Sequence, residues 1–557
     1  MMSLRLLACA GVVASAPNIV VFLTDDQDVM LGGAFPTLGD ATPMPRTREL
    51  LVERGATFTG MMVHTPICSP SRAELLTGRL LHNLKTTGGT LWQMHLDEER
   101  VHNYTFAARM KAAAGYRTGL FGKYLNAMPA AAPRASWDAW LANGGGSYVA
   151  PSFDAAGVAA FGFADGPWQG TAAPENYSTA VIGNLSLAWL EAGLAAAARG
   201  GAPSLAYIAP KAPHEPFLPA PWYAEHWDAS WPEREPRPPV WNASAALRAN
   251  HHGVVADQPL LSDAAAAVIT RIFKNRWRSL MSVDDVVAAV VGAVDAAGQI
   301  DNTFFFFTSD HGFQLGEFNF VMDKRHPYDW VTRVPLVVAG PGVRAGVTVD
   351  LPVMMTDIAP TLVELAGLDA ADWGASALPS PDGTSLVPLL RAAGDARALA
   401  ATAWRTENFI EYYFVDDNAK CVENCSLAGE WPTADACCAD LSTTPNGACW
   451  GTEQDTGVKP ATDQECDVDC YPTEDERNNF IGLRRADLLY VEYQTGDQGV
   501  ANVSFEKPDF FELFNASNDP WLTTNIYGDV LDLQPDVIAE LHESAQRWFG
   551  CSTTQCP

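Results

Sequence analysis

A cysteine stands two residues ahead of a proline in Cys68-Ser69-Pro70-Ser71-Arg72-Ala73-Glu74-Leu75-Leu76-Thr77-Gly78-Arg79. The run Ser71 to Thr77 predicts a short helix closed by Gly78, since proline suits a first helical turn and glycine the position past the last. Cys68 would lie at the mouth of that helix, where unpaired N–H groups and the helix dipole favour negative charge. Arg72 and Arg79 add fixed positive charge. The arrangement suits a nucleophile that must meet an anion. A disulfide is the competing use of such a cysteine, but beyond Cys68 the next cysteine is Cys421, and before it there is only Cys9.

Asp25 and Asp26 follow one apolar run, and Asp310 and His311 follow another. Paired carboxylates in such places are costly unless something neutralises them. Three carboxylates and one imidazole make an oxygen-rich divalent site, favouring Ca2+ or Mg2+ over zinc. Helix capping by Asp25 or Asp26 and a turn at Asp310-His311-Gly312 are the alternatives, and Gln27 and Asp28 are weaker ligand candidates. Lys123, Lys324 and His214 complete the set. A lone lysine is commonly a solvated surface charge, and His214 alone could satisfy a turn.

These residues need a scaffold, and the chain supplies one. Asn18 to Thr24 is a continuous apolar run, as expected for a buried strand. The same design recurs at Thr118 to Gly122 before Lys123, at Ser204 to Ala209 before His214 and at Thr303 to Thr308 before Asp310. Val334 to Ala339 follows Lys324. Helical patterns lie between them at Pro45 to Arg54, Phe106 to Ala114, Ala180 to Ala197 and Asp357 to Ala366, with a long, broken one from Ser262 to Ala297. Alternating strands and helices predict an α/β fold, a large mostly parallel sheet sandwiched by helices. In such folds ligands bind beyond the carboxyl ends of the strands, where the polar residues above fall. After an exit at Leu386 to Ala403 the texture changes. Cys421 to Cys470 reads as a disulfide-stapled insertion, Asp487 to Tyr493 as a strand and Pro535 to Phe549 as an amphipathic helix.

With 557 residues the chain exceeds one usual core, so two domains are expected: 17–400, and a smaller 401–557 carrying the Cys-rich insertion 421–470. Met1 to Ala16 combines Arg5, the apolar run Leu6 to Val13 and Ala14-Ser15-Ala16, the pattern of a secretory signal. No other stretch reads as a membrane span. Sequons begin at Asn103, Asn176, Asn184, Asn242, Asn424, Asn502 and Asn515, and nine of the eleven cysteines lie between Cys421 and Cys556. Both suit a glycosylated, disulfide-bonded protein of the secretory pathway, extracellular or lysosomal. A formal net charge of −30 disfavours nucleic acid and anionic membrane surfaces as partners, and it opposes long-range attraction of any anion. Anion recognition must come from a local cationic pocket.

Cys-x-Pro-x-Arg followed by Ala-x-Leu-Leu-Thr-Gly-Arg resembles the signature of the type I sulfatases, in the alkaline-phosphatase superfamily. The resemblance implies that a separate formylglycine-generating enzyme oxidises Cys68 to formylglycine, whose hydrated aldehyde attacks sulfur. It also implies that Asp25, Asp26, Asp310 and His311, with residue 68, hold one divalent cation, usually Ca2+ with Mg2+ the alternative. By the same resemblance Lys123 and Arg72 hold the hydrated formylglycine, Lys324 and His214 contact the sulfate, and one of that last pair protonates the leaving oxygen. A smaller C-terminal α+β domain with an antiparallel sheet is implied too, and Glu512 to Pro520 is similar to a family motif there. Many members carry histidine where this chain has Leu125, and His64 and His82 are the candidate replacements. Gly122 to Asn126, Leu23 to Asp28 and Asp323 to Tyr328 resemble the N-acetylglucosamine-6-sulfatase branch, which includes extracellular endosulfatases with a long basic domain absent from this sequence. The implied activity is hydrolysis of sulfate esters of sugars or of aryl sulfates. A phosphodiester or phosphonate hydrolase and a non-catalytic sulfoglycan-binding protein are the competing readings.

Overall fold

The computed structural model describes residues 16–29, 41–90, 93–369 (apart from 198, 259 and 262), 380–415, 473, 475–500 and 503–557. The expected signal segment, all but its last residue Ala16, and the insertion 421–470 lie outside the described residues. Ten strands form one sheet in the order Val347–Val349, Ala56–Phe58, Leu336–Ala339, Thr303–Ser309, Asn18–Thr24, Ser204–Ala209, Arg117–Lys123, Ala139–Asn143, Ser152–Ala156 and Gly166–Gln169. The five from Thr303–Ser309 to Ala139–Asn143 are mutually parallel. Antiparallel pairs flank them on both sides, so the sheet is mixed.

Side chains alternate across a strand, so a strand apolar at every position must be covered on both faces. In Asn18–Thr24, Val20 and Phe22 join Phe305, Phe307, Ile182, Leu185 and Trp189 on one side. Ile19, Val21 and Leu23 join Phe304, Phe306, Ala73, Leu75, Leu76 and Leu362 on the other. Helices Ser178–Ala197 and Asp263–Ala296 cover the first face, and helices Cys68–Thr77, Phe106–Ala114 and Ile358–Leu365 cover the second. Ser178–Ala197 is long and apolar enough to cross a membrane by length and composition, which the sequence reading did not register. Here it serves as a core helix, with Val181, Ile182, Leu185, Trp189 and Leu194 buried against the sheet.

Several element ends shift by one or two residues from the sequence expectation, and three elements differ more substantially. The long helix is unbroken over 34 residues, because it contains no proline and its one glycine, Gly292, faces open space. Pro45 onward forms one helical turn and then a wider one in which the Glu53 amide bonds the Arg48 carbonyl five residues back. The Cys68 helix begins at Cys68 itself and ends at Gly78, whose φ of 70° a side chain would oppose.

The chain closes with an antiparallel sheet of Glu407–Tyr412, Phe480–Arg485, Leu488–Tyr493 and Phe510–Asn515, packed by the helix Pro535–Phe549. Cys551 and Cys556 form a disulfide beyond that helix, and Cys68 is free and buried. Buried polar contacts tie this sheet to segments around the large one, and others brace it and the Cys68 helix from within. Glu512 accepts from Tyr328 Oη and Tyr493 Oη at 3.1 Å and from the His252 amide at 2.8 Å. Glu411 accepts from His64 Nε2 at 2.7 Å and His82 Nδ1 at 3.0 Å, while Glu74 of the Cys68 helix accepts from Thr65 Oγ1 at 2.6 Å.

Burial pushes the His64 imidazolium down, but the Glu74 and Glu411 charges reverse this and raise its pKa to about 9. A histidine whose folded pKa lies above its unfolded value of about 6.5 contributes stability that is complete below the unfolded value and fades as pH rises through the folded one. Wild-type Tm should therefore fall between pH 7 and pH 10. Over that window His64→Gln, starting from a lower Tm, should fall less in calorimetric melts. Parallel Tm–pH curves would show that the His64 ion pair does not contribute in this way.

Candidate active site

Four consecutive neighbours in the parallel core each end in a functional side chain. Asp25 and Asp26 follow Asn18–Thr24, Lys123 closes Arg117–Lys123, His214 lies beyond Ser204–Ala209, and Asp310 and His311 follow Thr303–Ser309. The opening at the carboxyl ends of such strands is where a ligand site forms. Gly122 shapes one edge: its φ is 113°, and a Cβ there would lie 2.0 Å from the Ala209 carbonyl, so only glycine lets Lys123 turn into the site. Cys68 enters at the first position of its helix and Lys324 from a loop.

The side chains meet. His311 Nε2 is 3.3 Å from Cys68 Sγ, Lys324 Nζ 3.7 Å and Asp25 Oδ1 4.0 Å. Lys123 Nζ donates to Asp25 Oδ2 at 2.7 Å, Arg72 Nε to Asp310 Oδ2 at 2.8 Å, and Arg72 Nη1 to the Lys123 carbonyl at 2.9 Å. Lys324 Nζ lies 3.4 Å from both oxygens of Asp26 and 3.4 Å from His214 Nε2. His214 Nδ1 donates to the Glu215 carbonyl at 2.8 Å, leaving Nε2 to face the site. Every one of these side chains is buried except His214, which is 14% exposed.

Burial and charge oppose each other throughout. Burial pushes Asp25 up, but Lys123, His214 and Arg72 hold it well below the usual carboxylate range. Burial raises the Cys68 thiol, and Lys123 and Lys324 over-compensate, holding it well below its ordinary value. Asp310 is pushed up to about 6 by burial against the pull of Arg72, and His311 is raised to about 9 because Asp310 and Asp26 outweigh burial. Protons retained on a buried carboxylate and imidazole are those a divalent cation displaces on binding. Ligand atoms of Asp25, Asp26, Cys68 and His311, two carboxylate oxygens, a sulfur and a ring nitrogen, all lie within 4.8 Å of one another, a buried set that could hold such an ion. Asp310 stands at the edge of that group. Its Oδ1 accepts from the amides of Asp26 and His311 at 3.1 and 2.9 Å and lies 3.8 Å from His311 Nε2.

Leu125 is fully buried in the apolar core. Neither proposed replacement faces Cys68. The ring nitrogens of His64 are bound to Glu411 and the Phe409 carbonyl, and those of His82 to Glu411 and the Cys551 carbonyl. Sequence reasoning also missed three supports. Arg276, on the long helix, donates to the Asp26 carbonyl and to Asp28, where Asp26 has a φ of 62°. Ser71 Oγ donates to the Asp310 carbonyl at 2.5 Å, and Ser309 Oγ accepts from the Gln27 amide at 2.9 Å. Nothing local marks Arg276, which stands about 250 positions from the loop it holds. Ser71 was visible inside the Cys68 motif, and Ser309 beside Asp310.

Comparison with known proteins places the chain in a family. Residues 17–368 match the Sulfatase family model. The chain is 29% identical to the N-acetylglucosamine-6-sulfatase of Homo sapiens, covering 98% of this chain and 88% of that one. It is 31% identical to the extracellular sulfatase SULF-1 homolog of Drosophila melanogaster over 67% of this chain and 31% of that one. Among solved structures, a protein in complex with its substrate D-glucosamine-2-N,6-O-disulfate superposes with a TM-score of 0.63 at 19% identity, covering 96% of this chain and 98% of the other. The phosphonate monoester hydrolase of Agrobacterium radiobacter superposes with a TM-score of 0.59 at 19% identity over 95% of each chain. These structural likenesses establish a shared fold. The family match spans well over half of the chain, including every strand-end residue of the buried charge cluster around Cys68, and the chain belongs to the sulfatases, the sulfuric ester hydrolases.

Proposed function

We propose that this sulfatase removes sulfate from a sulfated sugar, with 6-O-sulfated N-acetylglucosamine as the preferred unit. The observation that carries the reading is the ring of Lys123, Lys324, Arg72 and His311 around Cys68 at a helix N-terminus, a cationic pocket inside a strongly acidic protein. In this reading residues 17–400 are the catalytic domain and 401–557 a smaller domain. The first 16 residues direct the chain to the secretory pathway, consistent with the sequons and the Cys551–Cys556 disulfide.

Oxidised to formylglycine by its maturing enzyme, residue 68 would supply a hydrated aldehyde, one hydroxyl to attack sulfur and a second to release sulfate as the carbonyl re-forms. Asp25, Asp26, Asp310, His311 and residue 68 would hold one divalent cation, Ca2+ on the oxygen-rich donor set with Mg2+ the alternative, which when bound offsets sulfate charge and favours an ionised hydroxyl. The remaining work falls to the chain. Lys123 and Arg72 neutralise Asp25 and Asp310 and fix the orientation of residue 68 beside them. Lys324 sits where sulfate oxygens gather charge as the S–O bond lengthens, the usual use of a preorganised cation. His214, at the mouth with Nε2 inward, or Lys324 beside it, delivers the proton to the departing sugar oxygen; losing such a general acid costs on the order of 10²–10⁴-fold.

The relatives named for N-acetylglucosamine-6-sulfatase activity support the sugar assignment, as does the resemblance of Gly122 to Asn126 and Asp323 to Tyr328 to that branch. A panel of defined sulfated saccharides tests it: kcat/KM for 6-O-sulfated N-acetylglucosamine should exceed that for 2-O-sulfated uronic acid, and the reverse order would reject it. The same panel should include an aryl phosphonate, which is expected to be the poorer substrate. Mass spectrometry of the tryptic peptide spanning position 68, from active protein made with the maturing enzyme, should show formylglycine. Cys68→Ala should be folded and inactive, and active protein bearing only cysteine there would refute the mechanism. Chelation should abolish turnover, Ca2+ should restore it, and Asp25→Ala should behave as the chelated enzyme. Full activity in metal-depleted protein would remove the cation from the reading.

A further inference from the structure

Lys324 reaches Cys68 from a loop, its Nζ 3.7 Å from Sγ. The next residue, Arg325, has a φ of 72°, a left-handed conformation that non-glycine residues seldom adopt. Such a conformation persists only when neighbours over-determine it. A bridge pairing Gln314 with Asp323 ties the loop to the segment after His311, and the Arg325 amide donates to the Pro66 carbonyl at 3.2 Å. The other contacts come from much further along the chain. Thr473 lies 149 positions beyond Lys324, and its hydroxyl is 2.6 Å from Asp323 Oδ1 and 3.1 Å from the Lys324 carbonyl. The Thr473 amide donates to Asp323 Oδ2 at 3.3 Å, while Asp323 Oδ1 also receives the Lys324 amide at 2.6 Å. Asn478 spends its side-chain amide on two carbonyls, Arg325 at 3.0 Å and Thr473 at 2.9 Å. Asp323, Thr473 and Asn478 are all buried.

These contacts grip main chain on both sides of the Lys324 side chain. A lysine is a compact charge on a flexible four-carbon stem, so where its ammonium rests depends on where its Cα is held. We propose that Thr473 and Asn478 are positioning residues for Lys324, so that the segment leading into the C-terminal sheet sets the geometry of the sulfate pocket. Asp323 is the intermediary. Its buried carboxylate receives the Thr473 amide and hydroxyl and the Lys324 amide, and removing the hydroxyl leaves that carboxylate short of a donor and free to shift the Lys324 amide it holds. The proposal rests on Lys324 acting on the sulfate group.

A double-mutant cycle in the full-length, matured enzyme tests it, with an aryl sulfate as probe and rates normalised to the formylglycine content at position 68. Thr473→Val should lower kcat by about 10–100-fold, the usual cost of losing a partner that orients a working residue. Thr473→Ser, which keeps the hydroxyl, should restore most of it. In a Lys324→Ala background Thr473→Val should have no further effect, because the group it positions is gone. Asn478→Ala should show the same pattern and stands in if Thr473→Val does not fold. Wild-type kcat in folded Thr473→Val, or losses that multiply in the double variant, would overturn the positioning role. Unchanged kcat in Lys324→Ala alone would instead overturn the role of Lys324 on which the proposal stands.

Discussion

Three fully buried carboxylates, Asp25, Asp26 and Asp310, stand at the ends of two adjacent strands, a costly placement. Each loses its hydration, and each repels the others in a medium that screens poorly. The fold answers with cations from separate elements: Lys123 from the neighbourhood of a third strand, Arg72 from the Cys68 helix, Lys324 from a loop. Removing one partner of such a buried pair typically costs about 3–5 kcal/mol, because an uncompensated charge remains. The parallel core, the Cys68 helix and the Lys324 loop are therefore obliged to assemble together.

That constraint also explains how an acidic protein can handle an anionic ester. A net charge of −30 repels sulfate at a distance, yet exposed charges more than about 8 Å away are largely screened at physiological salt. The buried cations Lys123, Lys324 and Arg72 sit in a low-dielectric interior where screening is weak. Surface charge then governs solubility, and in the proposed mechanism the pocket governs recognition.

The C-terminal sheet takes part in the same arrangement. Glu411 draws His64 and His82 toward it from either side of the Cys68 helix, Glu512 holds Tyr328, and Arg484 binds Asp329 through two nitrogens at 2.9 Å. Tyr328 and Asp329 lie just past Lys324 and Arg325. The small sheet thus touches the segment that carries the pocket lysine through contacts rather than through chain continuity.

Local rules were enough to determine a good deal from sequence alone. Apolar runs of six or seven residues ending in a charged group mark buried parallel strands, and Asn18–Thr24, Ser204–Ala209 and the first six residues of Thr303–Ser309 lie where those runs predict. The helix behind Cys68 and its glycine stop follow from proline and glycine positions, and the rule that sites open at strand carboxyl ends brought Asp25, Lys123, His214 and Asp310 together in advance. The tertiary structure decided everything that depends on which remote side chain meets which. Only the folded chain shows His64 and His82 committed to Glu411, Asp310 turned to the edge of the ligand group, Arg276 bracing Asp26, and Thr473 and Asn478 bracing Lys324. Periodicity and capping act over a few residues and leave a mark in the chain. A hydrogen bond between groups 149 or 250 positions apart is set by register and packing, and no local pattern encodes it.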